Sequence, residues 1–184
     1  MSVTIRRAVP ADAPALAVVA AATFPLACPP HTTDEAKAAF IRTVLSEERF
    51  AEYLADATRV LLVDDDGAGH LRGYTMLVFG EPTDADAAAA ITIRPTVELS
   101  KCYVLPSQQG YGTSGTLMAA SLDVAAEWGA QGIWLGVNEE NARAIRFYEK
   151  SGFAKVGRKS FLVGERYESD FVLERALSVS APVL

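Results

Sequence analysis

Gly110, Gly112 and Gly115 fall within the stretch Gln108–Gly115, QQGYGTSG, and their spacing suits the binding of an anion. A glycine-rich turn that opens a helix presents backbone N–H groups at the positive end of the helix dipole, and missing side chains let a phosphate reach the main chain. No lysine is needed. The letters admit two frames. From Gly110 they spell G-x-G-x-x-G, the spacing of a dinucleotide-binding turn, with Glu139 near the distance of a ribose-binding acid. From Gln109 they spell Q-x-x-G-x-S. A tight strand-to-helix turn with no ligand would use the same glycines.

Other chemistry is sparse. Cys28 and Cys102 are the two cysteines and His31 and His70 the two histidines, which offers no metal-ligand cluster and no disulfide framework. Each cysteine reads as a small apolar core residue. The 184 residues suit one domain with a sizeable core, half of them being hydrophobic. A net charge of −6 argues against a nucleic-acid surface and suits a neutral or cationic small substrate. Arg6-Arg7 and the alanine-rich run to Cys28 imitate a signal peptide. Asp12 and Pro14 interrupt it, however, and the uncharged run from Ala13 to Cys28 is shorter than the ~18 residues of a span. The expectation is a cytoplasmic protein without a membrane segment.

The elements around the loop follow from periodicity. Val3–Arg6 alternates as a strand, and a helix starts at Pro10–Asp12 and runs toward Thr23, with Pro25–Thr33 read as a proline-rich loop. Thr32 and Glu35 form a capping box for a helix carrying Phe40, Ile41 and Val44, and Ser46 starts another. Arg59–Asp64 and His70–Phe79 read as an antiparallel hairpin across a turn at Asp65–Gly69. Gly80–Ala90 is a loop or short helix, and Val97–Leu105 is the strand that feeds QQGYGTSG. A helix from about Ser114 to Trp128, a buried strand at Ile133–Val137 and a helix at Asn141–Lys150 follow, then short strands at Ala154–Gly157 and Ser169–Glu174. Residues 1–176 form the domain and 177–184 a tail.

The run Asn138–Phe153, NEENARAIRFYEKSGF, together with YVLPSQQGYGTSGTLM, resembles the GNAT (Gcn5-related) superfamily of acetyl-CoA-dependent N-acetyltransferases. The pattern N-x-x-A-x-x-F-Y-x-x-x-G-F is met by Asn141, Ala144, Phe147, Tyr148, Gly152 and Phe153 without a gap. The loop pattern Q/R-x-x-G-x-G/A is met by Gln109 and Gly112, with Ser114 in the last place as a departure. The resemblance implies an α/β (α+β) single domain: a mixed, mostly antiparallel sheet of six or seven strands with a splayed central strand, flanked by about four helices. It makes Gln109-x-x-Gly112-x-Ser114 the operative frame. A dinucleotide domain would also need a βαβαβ half-fold after the loop, which the remaining strand-rich residues do not supply.

In that family the splayed strand and the loop hold acetyl-CoA. The main chain of Cys102, Tyr103 and Val104 would bind the pantetheine arm, and Gly110, Tyr111, Gly112, Thr113, Ser114 and Gly115 the pyrophosphate. Asn141 is similar to the asparagine that contacts the pantetheine, and Tyr148 to the general acid that protonates the departing thiolate. Glu98 resembles the base glutamate of one branch, with a solvated or salt-bridged strand residue as the competing assignment. For Tyr148 the competing assignment is a core aromatic. Lys150 and Arg146 could reach the phosphates or be plain surface charge. The implied partners are a small-molecule amine acceptor, of polyamine type by a likeness in ELSKCYVLPSQQGYG, and no nucleic acid, membrane or metal; a homodimer fits the family. The acceptor pocket would come from Phe24–Thr33 and Arg72–Phe79. A non-catalytic acyl-CoA sensor on the same fold is the alternative.

Overall fold

The computed structural model describes residues 4–108 and 110–178. Seven strands form one sheet: β1 (Thr4–Arg7), β2 (Arg59–Asp65), β3 (Leu71–Phe79), β4 (Thr96–Val104), β5 (Gly132–Asn138), β6 (Ala154–Val163) and β7 (Arg166–Ala176). Their spatial order is β1-β2-β3-β4-β5-β7-β6, antiparallel everywhere except between β4 and β5. Helices α1 (Ala13–Ala27), α2 (Asp34–Val44), α3 (Glu47–Ala55), α4 (Ala85–Ala90), α5 (Thr113–Glu127) and α6 (Ala142–Lys150) cover the two faces. This is the mixed α/β sheet that the sequence predicts.

Strand alternation divides the core in two. Leu61, Val63, Tyr74 and Met76 pack on one face against Leu16, Val19 and Phe24 of α1 and Phe50 of α3. Leu77, Val97, Leu99, Ile133, Leu135 and Leu173 pack on the other against Met118 and Ala125 of α5 and Ile145 of α6. The stretch Pro10–Ala27, a 3-10 turn plus α1, is long and apolar enough to cross a membrane, with mean hydropathy 1.3 over 18 residues. In this fold Leu16, Val19, Ala20 and Phe24 belong to the core, and Asp12 is paired with Arg6 at 2.7 Å.

The feature that makes a site lies between β4 and β5. Their parallel ladder covers only Thr96–Glu98 against Gly132–Trp134. Beyond it β4 stays with β3 as far as Val104 opposite Gly73, while β5 stays with β7 as far as Asn138 opposite Asp170. A bulge starts the divergence: Leu99 faces Leu77 and Lys101 faces Met76, which leaves Ser100 as the extra residue. An extra residue on one strand bends it and sharpens its twist. The sheet therefore opens as a wedge whose walls are Cys102–Val104 and Val137–Asn138.

Three local expectations change. Pro25 lies inside α1 instead of ending it. Proline removes one backbone bond near the helix end, while Phe24 stacks on Phe40 at 4.4 Å between ring centroids and holds the last turn against α2. The cap of α2 is Thr33, whose Oγ1 accepts from Ala36 N at 3.1 Å; Thr32 is turned into the interior. The last two strands are far longer than their apolar cores suggest and form a hairpin over Ala154–Val163 and Arg166–Ala176. Their outer halves are rich in charged and polar residues, so ladder pairing extends the strands past the apolar stretches that mark them in the sequence.

Candidate active site

Two cavities meet at the wedge. The larger, about 380 Å³, lies under α1 and α2 and reaches the β6–β7 hairpin, and the smaller, about 200 Å³, runs from Cys102–Val104 past Ser114 to α6. Ala27, Cys102, Tyr103, Asn141, Ala144 and Tyr148 line both. The two spaces thus form a passage, with the glycine loop toward one end and buried carboxylates at the other. Phe24 and Pro29 of the expected acceptor segment line the larger cavity, but no residue of Arg72–Phe79 does. β3 is shielded from that space by β4, and the wall comes instead from Phe161, Val163, Glu168 and Asp170 of β6 and β7.

α6 delivers Tyr148. Ile145 is buried in the core and Ala144, Phe147 and Tyr148 pack beside it, a spacing that turns one helical stripe inward. Asn141 caps the helix, its Oδ1 accepting from Ala144 N at 3.1 Å, which orients the helix start while the residue still borders both cavities. Burial pushes the Tyr148 phenol well above its ordinary range, and Cys102 and Tyr103, its neighbours at the wedge, push it further. Burial likewise takes the Cys102 thiol up to about 12 and the Tyr103 phenol above its usual value. All three hold their protons at neutral pH. A thiolate formed at this point would find Tyr148 as a fully protonated donor.

Glu98 lies on β4 two residues before the Ser100 bulge and lines the larger cavity but not the smaller. Burial raises its carboxyl, and the positive charges of Lys159, Lys101 and Arg59 pull in the opposite direction. Lys101, beside it, is lowered to about 8 by burial. A half-buried carboxylate with a raised pKa is a better proton acceptor than one in water.

The loop has the form an anion needs. Gly110 and Gly112 adopt φ of 87° and 82°, which only glycine takes readily, and Gly112 is the residue before α5. Thr113 begins the helix, buried, with an Oγ1 that meets no partner among the described residues. Ser114 lines the smaller cavity, a Cβ at Gly115 would meet open space, and Tyr111 is exposed. Gln109 lies outside the described residues. Lys150 and Arg146 stand exposed and line neither cavity; Arg143, which no motif singles out, borders the smaller one. These features fit a pyrophosphate at the start of α5 and an extended arm along Cys102–Val104.

Residues 23–153 match the Acetyltransferase (GNAT) family. This chain belongs to that family. As a GNAT protein it is an N-acetyltransferase, the name that several of its relatives carry. An uncharacterized N-acetyltransferase of Mycobacterium tuberculosis is 46% identical over 166 residues, covering 90% of this chain and 98% of the relative. Among solved structures, the PaiA N-acetyltransferase of Thermoplasma acidophilum in complex with coenzyme A superposes with a TM-score of 0.75 at 20% identity, covering 96% of this chain and 99% of that one. YncA of Salmonella typhimurium with its cofactor acetyl-CoA gives a TM-score of 0.70 at 20% identity, over 98% and 97% of the two chains. At that identity the two structures speak for the fold.

Within this GNAT domain the wedge brings together Glu98, Cys102, Tyr103 and Val104 of β4, Ser114 of α5, Tyr148 of α6 and Asn141, the cap of α6. The family motifs do not single out the far wall. Glu168 is buried and meets His31 Nε2 at 2.7 Å, which ties the α1–α2 connection to β7, and Asp170 lies two residues further along the same strand face.

Proposed function

We propose that this GNAT protein moves the acetyl group of acetyl-CoA to a primary amine by direct attack in a ternary complex, the acceptor being a small cationic amine of polyamine type. Acetyl-CoA is the co-substrate: its pyrophosphate rests on Gly110–Gly115 and its pantetheine runs between the diverged strands beside Cys102–Val104. The amine enters from the larger cavity and gives its proton to Glu98 as its nitrogen bonds to the thioester carbonyl carbon. The tetrahedral oxyanion is stabilised by a main-chain N–H of β4, which has no ladder partner on β5 beyond Glu98. Collapse breaks the carbon–sulfur bond, and Tyr148 protonates the leaving thiolate.

The observation that carries this reading is the meeting of the two cavities at Tyr148. A binding module needs only the smaller cavity; a second, charged space opening onto the same phenol supports a second substrate. The test is thiol release from acetyl-CoA with a panel of polyamines, amino acids, aminoglycosides and peptide N-termini. Acetylation of at least one amine is expected. Release no faster than background with every acceptor, alongside intact CoA binding, would instead assign the fold to an acyl-CoA sensor.

A further inference from the structure

Among the described residues, the carboxylates in and around the β6–β7 end of the larger cavity are matched with basic groups except for one. Arg158 Nη1 is 2.6 Å from Glu139, Lys159 Nζ is 3.9 Å from Asp84, and His31 Nε2 and Arg166 Nε lie 2.7 and 3.6 Å from Glu168. Asp170 lines the same cavity, is 6% exposed, and has an Oδ1 with no hydrogen-bond partner among the described residues. Among the described residues no basic group comes within ion-pair distance of it. A buried carboxylate oxygen without a donor is costly, and folded proteins rarely keep one without a reason.

The surroundings hold space in front of that carboxylate. Gly136 on β5 faces the same way, and a Cβ there would sit 3.4 Å from Asp170 Oδ2. The aliphatic stem of Lys159 packs over Gly136, its Cε 2.6 Å from where that Cβ would be and its ammonium 3.9 Å from Asp84, so the glycine makes room for the lysine stem and Asp170 is reached from the cavity it lines. Glu98, the other cavity carboxylate with no ion pair among the described residues, is opposite Trp134 on β5, whereas Asp170 is opposite Asn138. Four positions on one strand correspond to ~13 Å between the two backbone levels, which the two side chains shorten by reaching inward. One cavity therefore has two separated places for a positive nitrogen, one beside the wedge and one against β7.

We propose that Asp170 is the residue that selects the acceptor, binding a second ammonium group on a linear diamine or polyamine whose other amine, uncharged, attacks the acetyl group. The inference rests on the reading of the larger cavity as an acceptor site and adds to it the requirement for two nitrogens. Burial lifts Asp170 to about 6, so the group is ionised at neutral pH and waits for a cation. A bound ammonium would supply the missing donor and favour the ionised form, so binding near pH 6 should release protons.

Calorimetric titration of the full chain with CoA bound tests this without turnover. The probes are linear diamines from 1,3-diaminopropane to 1,8-diaminooctane, each compared with the monoamine of equal carbon number. At pH 7 at least one diamine should bind about ten-fold or more tightly than its monoamine, and Asp170→Asn should bring that ratio near one. At pH 6, titrations in buffers of different ionisation enthalpy should show proton release for the wild type that the variant lacks. CoA affinity and the thermal midpoint report whether the variant is folded. A wild type with no preference for any diamine, a variant that keeps the preference, or one that weakens monoamine and diamine alike would each overturn the assignment. A diamine preference without any acetyl transfer would keep Asp170 and remove the catalytic reading; acetyl transfer to amines without that preference would do the reverse.

Discussion

Lys159 and Asp170 face each other in the β6–β7 register and do not pair. The ammonium goes to Asp84, and the carboxylate remains buried with one oxygen unpartnered among the described residues. In water such neighbours would gain little from meeting; in a cavity, the missing pair leaves a charge for a ligand to meet.

That arrangement makes stability depend on pH in a defined direction. Burial lifts the Asp170 pKa from 3.8 to about 6; the nearby charge of Lys159 opposes the rise, while Glu168, Asp84 and Glu139 add to it. The folded state therefore binds a proton between about pH 4 and 6 that the unfolded chain has released, and this contribution to stability is lost as pH rises through that window. Asp170→Asn removes the dependence. Between pH 4 and pH 7 the stability difference should move in favour of the variant by about 2 to 3 kcal/mol, read from urea unfolding of both proteins. A constant difference would mean that Asp170 is solvated or paired.

Glu98 makes the complementary prediction for turnover. Its carboxyl is raised by burial, so the acidic limb of kcat/KM should lie above the ordinary carboxylate range. Glu98→Gln should lower kcat about 100-fold or more and abolish that limb. An unchanged rate and profile would hand the proton to water.

The loop separates backbone from hydroxyl. Gly112→Ala forces a side chain to φ 82°, which should cost about 1 kcal/mol in stability and weaken CoA binding measurably. Ser114→Gly leaves the main-chain N–H in place and should bind acetyl-CoA as the wild type does. A large loss with Ser114→Gly would make its hydroxyl a phosphate ligand.

What could be read from the sequence was what depends on neighbours in the chain. The α6 stripe of Ala144, Phe147 and Tyr148, the β2–β3 hairpin and the turn before α5 are local patterns. The opening of the sheet is not local, because it depends on the Ser100 bulge and on β4 leaving β5 after Glu98. The β7 carboxylates were hidden for the same reason. Glu168, Asp170 and Glu174 alternate like a solvated strand face, yet Glu174 accepts from Thr92 N, Thr92 Oγ1 and Ile93 N at 2.8–2.9 Å. Those partners are 81 and 82 residues away in the chain, so burial of the charge could not be read from RYESDFVLER. Periodicity did offer one usable signal, three acids on one strand face next to a buried strand.

Tyr148, where the two cavities meet, is the proposed donor of the proton to the departing thiolate. Tyr148→Phe removes that proton and little else, since the ring remains packed beside Phe147 and Phe153. Thiol release with an accepted amine, measured together with CoA affinity, should show kcat reduced about 100-fold or more and CoA binding within about three-fold of wild type. Turnover equal to wild type at unchanged CoA affinity would remove Tyr148 from the proton transfer.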